Sequence, residues 1–265
     1  MAIIFDGKGF AEEKEKILKE KVSQLGFTPK LVSILVGDDK ASVLYSRIKK
    51  KTAERVGIKF EIKRFSSAVS SSKLIEFIEK LNNEKEVNGI MVQLPLPQKL
   101  RGETQTILNS IRKDKDVDGL TKGSLYMPAV VKAVKAIVEY ATADLAYFGK
   151  KAAVIGAKGM VGEKTADMLT RMGYKVTRCD KNTRDLYAKL NSVDLIVSAT
   201  GVPGIIKGEV IKEGSIAIDV GAPRGDFEFR SVEPRAGFVT PVPGGVGPVT
   251  VASLFENLLE AAIGS

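Results

Sequence analysis

From Lys151 to Gly221 the chain repeats one pattern that narrows the choice of folds more than any other feature. Short apolar runs, AAVIG, DLIVSATG and SIAIDVG, together with KVTRC, alternate with stretches whose apolar residues recur at helical spacing. A strand that is apolar at nearly every position must be covered on both faces, and crossover helices laid over a parallel sheet supply that cover. Residues 123–248 are therefore expected to form a doubly wound, Rossmann-type parallel sheet.

Upstream the same alternation is looser. Ala11, Leu18, Val22 and Leu25 share a helical face and precede the β-rich run LVSILVG, Leu31 to Gly37. A second helix is expected to turn Leu44 and Ile48 inward. Ile58, Phe60 and Ile62 then alternate with Lys59, Glu61 and Lys63, the period of a half-buried strand. Ser71 or Ser72 is placed to cap a helix carrying Leu74, Ile78 and Leu81, which leads into the apolar strand GIMVQLP from Gly89 to Pro95. A helical run from Pro128 to about Tyr140, with Val130, Val134, Ile137 and Val138 on one face, links this part to the next. A last helix from about Val249 sets Val251, Leu254, Leu258 and Ala261 in a stripe able to pack back on the first domain. The fold class is thus α/β: two three-layer α/β domains with a cleft between them, residues 1–122 plus the helix 249–265 forming one and residues 123–248 the other.

Length and composition permit this division, since 265 residues with 44% hydrophobic content can bury two cores. The 41 basic against 32 acidic residues leave a net charge of +9, which suits an anionic partner. Lys and Glu are interspersed, as in AEEKEKILKEK from Ala11 to Lys21, so a solvated helix face is the better reading and no nucleic-acid partner is expected. The sequence has no histidine, which removes the usual general base and the commonest zinc ligand, and no metal site is expected. Any base must be Lys, Tyr, Asp, Glu or the lone Cys179. One cysteine offers no disulfide framework, and MAIIFDGKGF lacks a basic region followed by an apolar one. With no run of about 18 uninterrupted apolar residues, the expectation is a cytoplasmic protein with no membrane partner.

GAKGMVG, Gly156 to Gly162, follows an apolar strand and opens a helix, the context of a phosphate-binding turn. Its Gly156-x-x-Gly159-x-x-Gly162 spacing differs from the common G-x-G-x-x-G fingerprint. Gly156, Ala157, Lys158, Val161 and Gly162 are the candidate pyrophosphate residues. Asp180 stands 24 residues after Gly156, where a carboxylate often accepts hydrogen bonds from the adenosine ribose and favours NAD. Lys158, Lys181 and Arg178 instead suit a ribose 2′-phosphate, so residue chemistry leaves NAD and NADP open. Ala199, Thr200 and Gly201 after one strand, and Gly221 and Ala222 after the next, complete the nucleotide set. Cys179, at a strand end with no histidine to activate it, reads as a buried small side chain.

Ser42, Tyr45 and Lys49 stand at i, i+3 and i+7 of the second helix and share a face. That spacing alone fits an exposed polar stripe as well as a ligand site. Four segments, VGDDKASVLYSRIKKKTAERVGI (Val36 to Ile58), NGIMVQLPLP (Asn88 to Pro97), KDVDGL (Lys115 to Leu120) and TPVPGGVGPVTVASL (Thr240 to Leu254), in this order and spacing, resemble the methylenetetrahydrofolate dehydrogenase/cyclohydrolase family across nearly the whole chain. The resemblance implies oxidation of 5,10-methylenetetrahydrofolate with NAD(P), then hydrolysis of the methenyl product to 10-formyltetrahydrofolate. It implies that Lys49 is the cyclohydrolase base, that Tyr45 stacks on or orients the folate, that Gln93 hydrogen-bonds Lys49, and that Asp118 reads the pterin. On the same carry-over Ser42, Leu94, Pro95, Pro243, Gly244 and Gly245 join the folate site. A homodimer and NADP, with Lys158 and Lys181 on the 2′-phosphate, follow from family precedent.

The chain also departs from the family. A longer segment with a Pro-Cys-Thr-Pro run is replaced by GSLYMPAVVKA, Gly123 to Ala133. The turn reads Gly156-Ala157-Lys158 where Gly-Arg-Ser or Gly-Ala-Ser is usual, and Asp180-Lys181 stands where His-Ser is usual. Competing readings are a dehydrogenase of the same fold without cyclohydrolase activity, and a basic dinucleotide- or nucleic-acid-binding module.

Overall fold

The computed structural model describes residues 2–143 and 149–264. In chain order the first elements are β1 (Ile3–Ile4), α1 (Gly7–Ser23), β2 (Lys30–Val36), α2 (Lys40–Val56), β3 (Lys59–Phe65), α3 (Ser71–Asn83), β4 (Gly89–Val92) and α4 (Thr104–Asn109). There follow α5 (Ala129–Thr142), β5 (Lys151–Ile155), α6 (Met160–Arg171), β6 (Lys175–Cys179), α7 (Leu186–Asn191), β7 (Leu195–Ser198), β8 (Ile216–Asp219), α8 (Phe229–Val232), β9 (Phe238–Val239) and α9 (Val246–Ile263). Among the described residues every strand pairing is parallel. The chain divides into two compact units, Glu12–Ala129 with Val251–Ser265, and Met1–Ala11 with Val130–Thr250.

In the first unit three strands lie in the order β3-β2-β4. The central β2 is buried from Leu31 to Val36, whereas the edge strand β3 leaves Lys59 and Arg64 exposed. Helix α2 starts at Asp39, whose carboxylate accepts the Ser42 N–H at 2.8 Å, and stops at Gly57 in a left-handed conformation. Its buried face holds Ser42, Ser46, Lys49, Thr52, Ala53 and Val56. Leu44 and Ile48, expected inside, are 56% and 41% exposed. Helical spacing determines which residues share a face, and here the face turned inward is the polar one because it holds the site described below.

Two smaller expectations are also corrected. Ser70 rather than Ser71 or Ser72 caps α3, accepting from Lys73 N–H at 3.3 Å. Strand β4 stops at Val92, short of Pro95: Gln93 N–H still donates to the Ile34 carbonyl at 2.8 Å, and the chain bends at Leu94 and Pro95, where proline has no N–H to extend the ladder.

Helix α9 seals this unit. Val251, Leu254, Phe255 and Leu258 form one cluster with Leu18 and Val22 of α1, Ala53 and Val56 of α2, and Leu31, Phe60, Met91 and Val117. By length and composition α9 could cross a membrane, but 67% of it is buried inside the protein, where its hydropathy is used for packing.

In the second unit six strands run β1-β9-β8-β7-β5-β6. The pairing of Ile3 with Phe238 assigns the first residues to this unit, although the sequence-based division grouped them with residues up to 122. A strand of two residues leaves no period to read. Ala153, Ile155, Ile196, Ala217 and Val239 from four strands share one core cluster with Leu190, Ile206 and Phe227. The chain leaves β5 for β6 on one side and returns to β7 on the other, so β5 and β7 flank the point where the winding reverses, the ligand crevice of such sheets.

Replacing Phe255 by Ala empties the centre of the first unit's core and is expected to cost about 3–5 kcal/mol of stability, read by urea unfolding.

Candidate active site

Lys49 carries an amine only 8% exposed on the inward face of α2. Its Nζ donates to Gln93 Oε1 at 2.9 Å and lies 3.8 Å from Met91 Sδ. Gln93 is oriented in turn, since its Nε2 donates to the Leu94 carbonyl at 2.8 Å and leaves Oε1 toward the lysine. Among the described residues Lys49 forms no ion pair. Burial pushes its pKa below the ordinary lysine value, and the Asp118 carboxylate acts in the opposite sense.

Asp118 sits in the turn that follows the bridge from Ile90 to Asp116. The turn is fixed from several directions. Asp116, itself buried, accepts from Gly119 N–H at 3.1 Å and Thr121 N–H at 2.8 Å, and Ala129 N–H donates to the Asp118 carbonyl at 3.1 Å. Asn257 of α9 donates to the Val117 and Met127 carbonyls, both at 2.9 Å. With its backbone held this way, the Asp118 side chain makes no hydrogen bond or ion pair among the described residues. Burial raises its pKa, Lys49 opposes the rise, and Asp116 adds to it. Asp116 and Asn257 escaped the sequence reading, because nothing in KDVDGL or in α9 marks a side chain as bonding to a distant turn.

Tyr45 lies one helical turn before Lys49, half-buried, its phenol pushed up by burial. Ser42, a turn earlier, is 3% exposed, and its hydroxyl finds no partner among the described residues. Leu94 is half-buried and Pro95 exposed. The structure therefore brings Lys49, Gln93 and Asp118 together, with Tyr45 and Ser42 along the same helix face. Pro243, Gly244 and Gly245 belong to the other unit, where residue 7 lies so close to the Gly244 and Gly245 carbonyls that a Cβ there would overlap them.

The candidate nucleotide residues also belong to the second unit. Gly156 adopts φ 79°, and its N–H and that of Ala157 both donate to the Cys179 carbonyl, at 2.9 and 3.0 Å. A Cβ on Gly156 would come within 2.5 Å of the Ala199 carbonyl, and one on Gly162 within 2.2 Å of the Gly156 carbonyl. Different spacing thus meets the demands of the common fingerprint: a tight turn and close packing of helix on strand. Gly159 caps α6 without a side-chain bond, so the leading N–H groups of this 12-residue helix are free to receive a phosphate. Val161 is half-buried in the first turn of α6. Ala199, Thr200 and Gly201 leave β7, and Gly221 and Ala222 leave β8, at the carboxyl ends of adjacent strands.

Charge around Asp180 is now specific. Lys158 forms an ion pair with Asp180, whose carboxyl is lowered chiefly by that lysine. Lys158 remains 78% exposed, while Arg178 is engaged with Asp167 at 2.7 Å and Lys181 is exposed. Cys179 is fully buried with its thiol pushed up, as expected of a packed side chain.

The fold and these two sites define a two-unit α/β protein of the nucleotide-dependent enzyme class. The family models assign it further: residues 5–118 match the tetrahydrofolate dehydrogenase/cyclohydrolase catalytic domain, and residues 128–265 match the NAD(P)-binding domain of the same family. A "Bifunctional protein FolD" from Moorella thermoacetica is 39% identical over 280 residues, covering 98% of this chain and 99% of the relative. The FolD methylenetetrahydrofolate dehydrogenase/cyclohydrolase of Campylobacter jejuni superposes with a TM-score of 0.91 at 35% identity, covering 100% and 99% of the two chains. That of Trypanosoma brucei, solved with NADP cofactor and inhibitor, gives 0.90 at 31% identity over 100% and 99%. The chain belongs to the tetrahydrofolate dehydrogenase/cyclohydrolase family.

Burial of Lys49 predicts a pH effect on stability. Its pKa is depressed in the fold relative to about 10.5 when unfolded, so the unfolded chain binds more protons between the two values and stability rises with pH across that window. Lys49→Met is expected to stabilise the protein near neutral pH, with the gain shrinking toward pH 10.5, as measured by urea unfolding at several pH values.

Proposed function

We propose that this chain oxidises 5,10-methylenetetrahydrofolate to 5,10-methenyltetrahydrofolate with NADP and hydrolyses that product to 10-formyltetrahydrofolate. The observation that supports it best is the buried Lys49 amine held by the neutral Gln93 amide, at 2.9 Å.

Oxidation makes modest demands on acid or base groups, because the methenyl cation is stabilised by two folate nitrogens. Its need is positioning. Asp118, with its free carboxylate, is suited to accept N–H bonds from the aminopyrimidine edge of the pterin, and the Tyr45 ring to stack on the folate. The unpartnered Ser42 hydroxyl is a ready donor or acceptor, and Leu94 and Pro95 supply backbone beside Gln93. NADP, when bound, supplies the hydride acceptor. The glycine turn and uncapped α6 suit its pyrophosphate, and Lys158 with Lys181 suits the 2′-phosphate, Lys158 exchanging Asp180 for the ligand.

Hydrolysis needs a base, since water adding to the cationic carbon must lose a proton, after which the bond from that carbon to N5 breaks, N5 takes a proton and the formyl group stays on N10. A lysine serves only while neutral. Burial favours that form, and Gln93 accepts from the amine without stabilising the ammonium as a carboxylate would. The substrate cation acts in the same direction. We also infer a cytoplasmic homodimer, in keeping with the family and with a single buried cysteine; light scattering on the purified protein tests the dimer.

Supplying methylenetetrahydrofolate with NADP or NAD and following methenyl formation and decay tests the whole reading. Both phases are expected with NADP; formation without decay would mean a dehydrogenase alone, and neither phase would refute the proposal. Lys49→Ala is expected to lower hydrolysis at least about a hundredfold, the scale of general-base catalysis, and wild-type hydrolysis should rise with pH through the depressed Lys49 value. Lys158→Ala is expected to raise KM for NADP by about tenfold and KM for NAD by less than about threefold, as lost charge-assisted bonds to a phosphate require.

A further inference from the structure

Behind the nucleotide residues lies a pair of buried carboxylates that the reaction chemistry does not use. Asp219 ends β8 and is 2% exposed; Asp226 follows seven residues later and is fully buried. Asp219 Oδ1 accepts from Gly221 N–H at 2.8 Å and from Asp226 N–H at 3.0 Å, and Oδ2 accepts from Phe227 N–H at 2.8 Å. Burial pushes the Asp219 carboxyl up, these N–H groups oppose it, and the Asp226 charge adds to the rise.

Asp226 reaches the other way, to the strand beside it. Its Oδ2 accepts from the Ser198 hydroxyl at 2.8 Å and from Thr200 N–H at 2.7 Å. Its carbonyl accepts Ile206 N–H, and the Gly225 carbonyl accepts Gly204 N–H, both at 3.0 Å. One residue thus joins three segments: the exit of β7, the stretch from Gly204 to Ile206, and the exit of β8. These are the segments that present Ala199, Thr200, Gly201, Gly221 and Ala222. The glycine turn rests on the same assembly, since Gly156 abuts the Ala199 carbonyl and Thr200 N. Asp226 Oδ1 has no hydrogen-bond partner among the described residues and faces Gly221, where a Cβ would approach it to 2.6 Å. An ionised or polar group left half-satisfied in a core is costly, and a fold retains one where it holds geometry that apolar packing would not.

We propose that Asp226 is a positioning residue of the nucleotide site, holding the loops after β7 and β8 in the register that binds NADP. It touches no reacting atom, being fully buried, and acts through Thr200 and Gly221. The proposal rests on the reading of this unit as the NADP site.

The test measures NADP affinity by titration calorimetry, steady-state constants for the dehydrogenase, and hydrolysis of supplied methenyltetrahydrofolate, which consumes no nucleotide. Loss of two hydrogen bonds to a charged acceptor predicts that Asp226→Ala weakens NADP binding at least about tenfold and raises KM for NADP more than it lowers kcat, while hydrolysis stays near wild type. Asp226→Asn, which keeps one carbonyl oxygen for Ser198 and Thr200, is expected to restore affinity to within about threefold, a rescue that the hydrogen-bond count allows. Ser198→Ala removes one of the two bonds and should weaken binding about threefold. NADP affinity unchanged in Asp226→Ala overturns the proposal. Where that variant does not fold, Ser198→Ala decides, and unchanged affinity there overturns it equally. Failure of the wild-type protein to bind NADP would instead overturn the reading of the unit.

Discussion

The interaction on which the site depends is a single hydrogen bond between an amine and an amide, Lys49 to Gln93, made where water is largely excluded. A lysine in that position must be either paired with a carboxylate or depressed in pKa, because an uncompensated ammonium is expensive to bury. The protein takes the second course. Much of the local architecture follows: α2 turns its polar face inward, β4 stops at Val92 so that Gln93 reaches the amine, and Asp116 and Asn257 hold Asp118 on a turn from which it acts on Lys49 without forming an ion pair.

The second unit, which matches the family's NAD(P)-binding domain, solves a different problem, the close approach of backbone to backbone in its glycine turn. Gly156 and Gly162 are fitted so closely to neighbouring carbonyls that any larger residue would push strand, helix and adjoining loop apart. Charge is handled more loosely there. Lys158 and Asp180 neutralise one another at the surface, an exposed pair that holds weakly against competing ions. Below, the buried pair Asp219 and Asp226 binds backbone N–H groups that no strand ladder satisfies, as irregular loops at the carboxyl ends of interior strands require.

Much of this was legible. Period and apolar runs gave β2 to β4 of one sheet and β5 to β8 of the other, the α9 stripe and the buried faces of α1 and α3, because burial on one or both faces writes itself into residue spacing. The glycine turn and the face of Ser42, Tyr45 and Lys49 were legible for the same reason. Leu44 and Ile48 misled, since an apolar pair on a helix indicates the core only where no site competes for the inward face. The pairing of β1 with β9, the Ser70 cap, Asp116 and Asp226 were not legible, because each depends on a contact whose partner or geometry lies outside the local pattern.

The sequence by itself determined the parallel α/β class, the glycine turn, the absence of any histidine base and, through long motifs, the family. Only the tertiary structure decided that the lysine is buried without an ion pair, that Lys158 is engaged by Asp180, and which carboxylates hold the turns beneath the sites. The physical reason is one of range. Spacing along a helix or strand encodes which residues lie together on one element, whereas charge state and hydrogen-bond satisfaction depend on groups brought from distant parts of the chain.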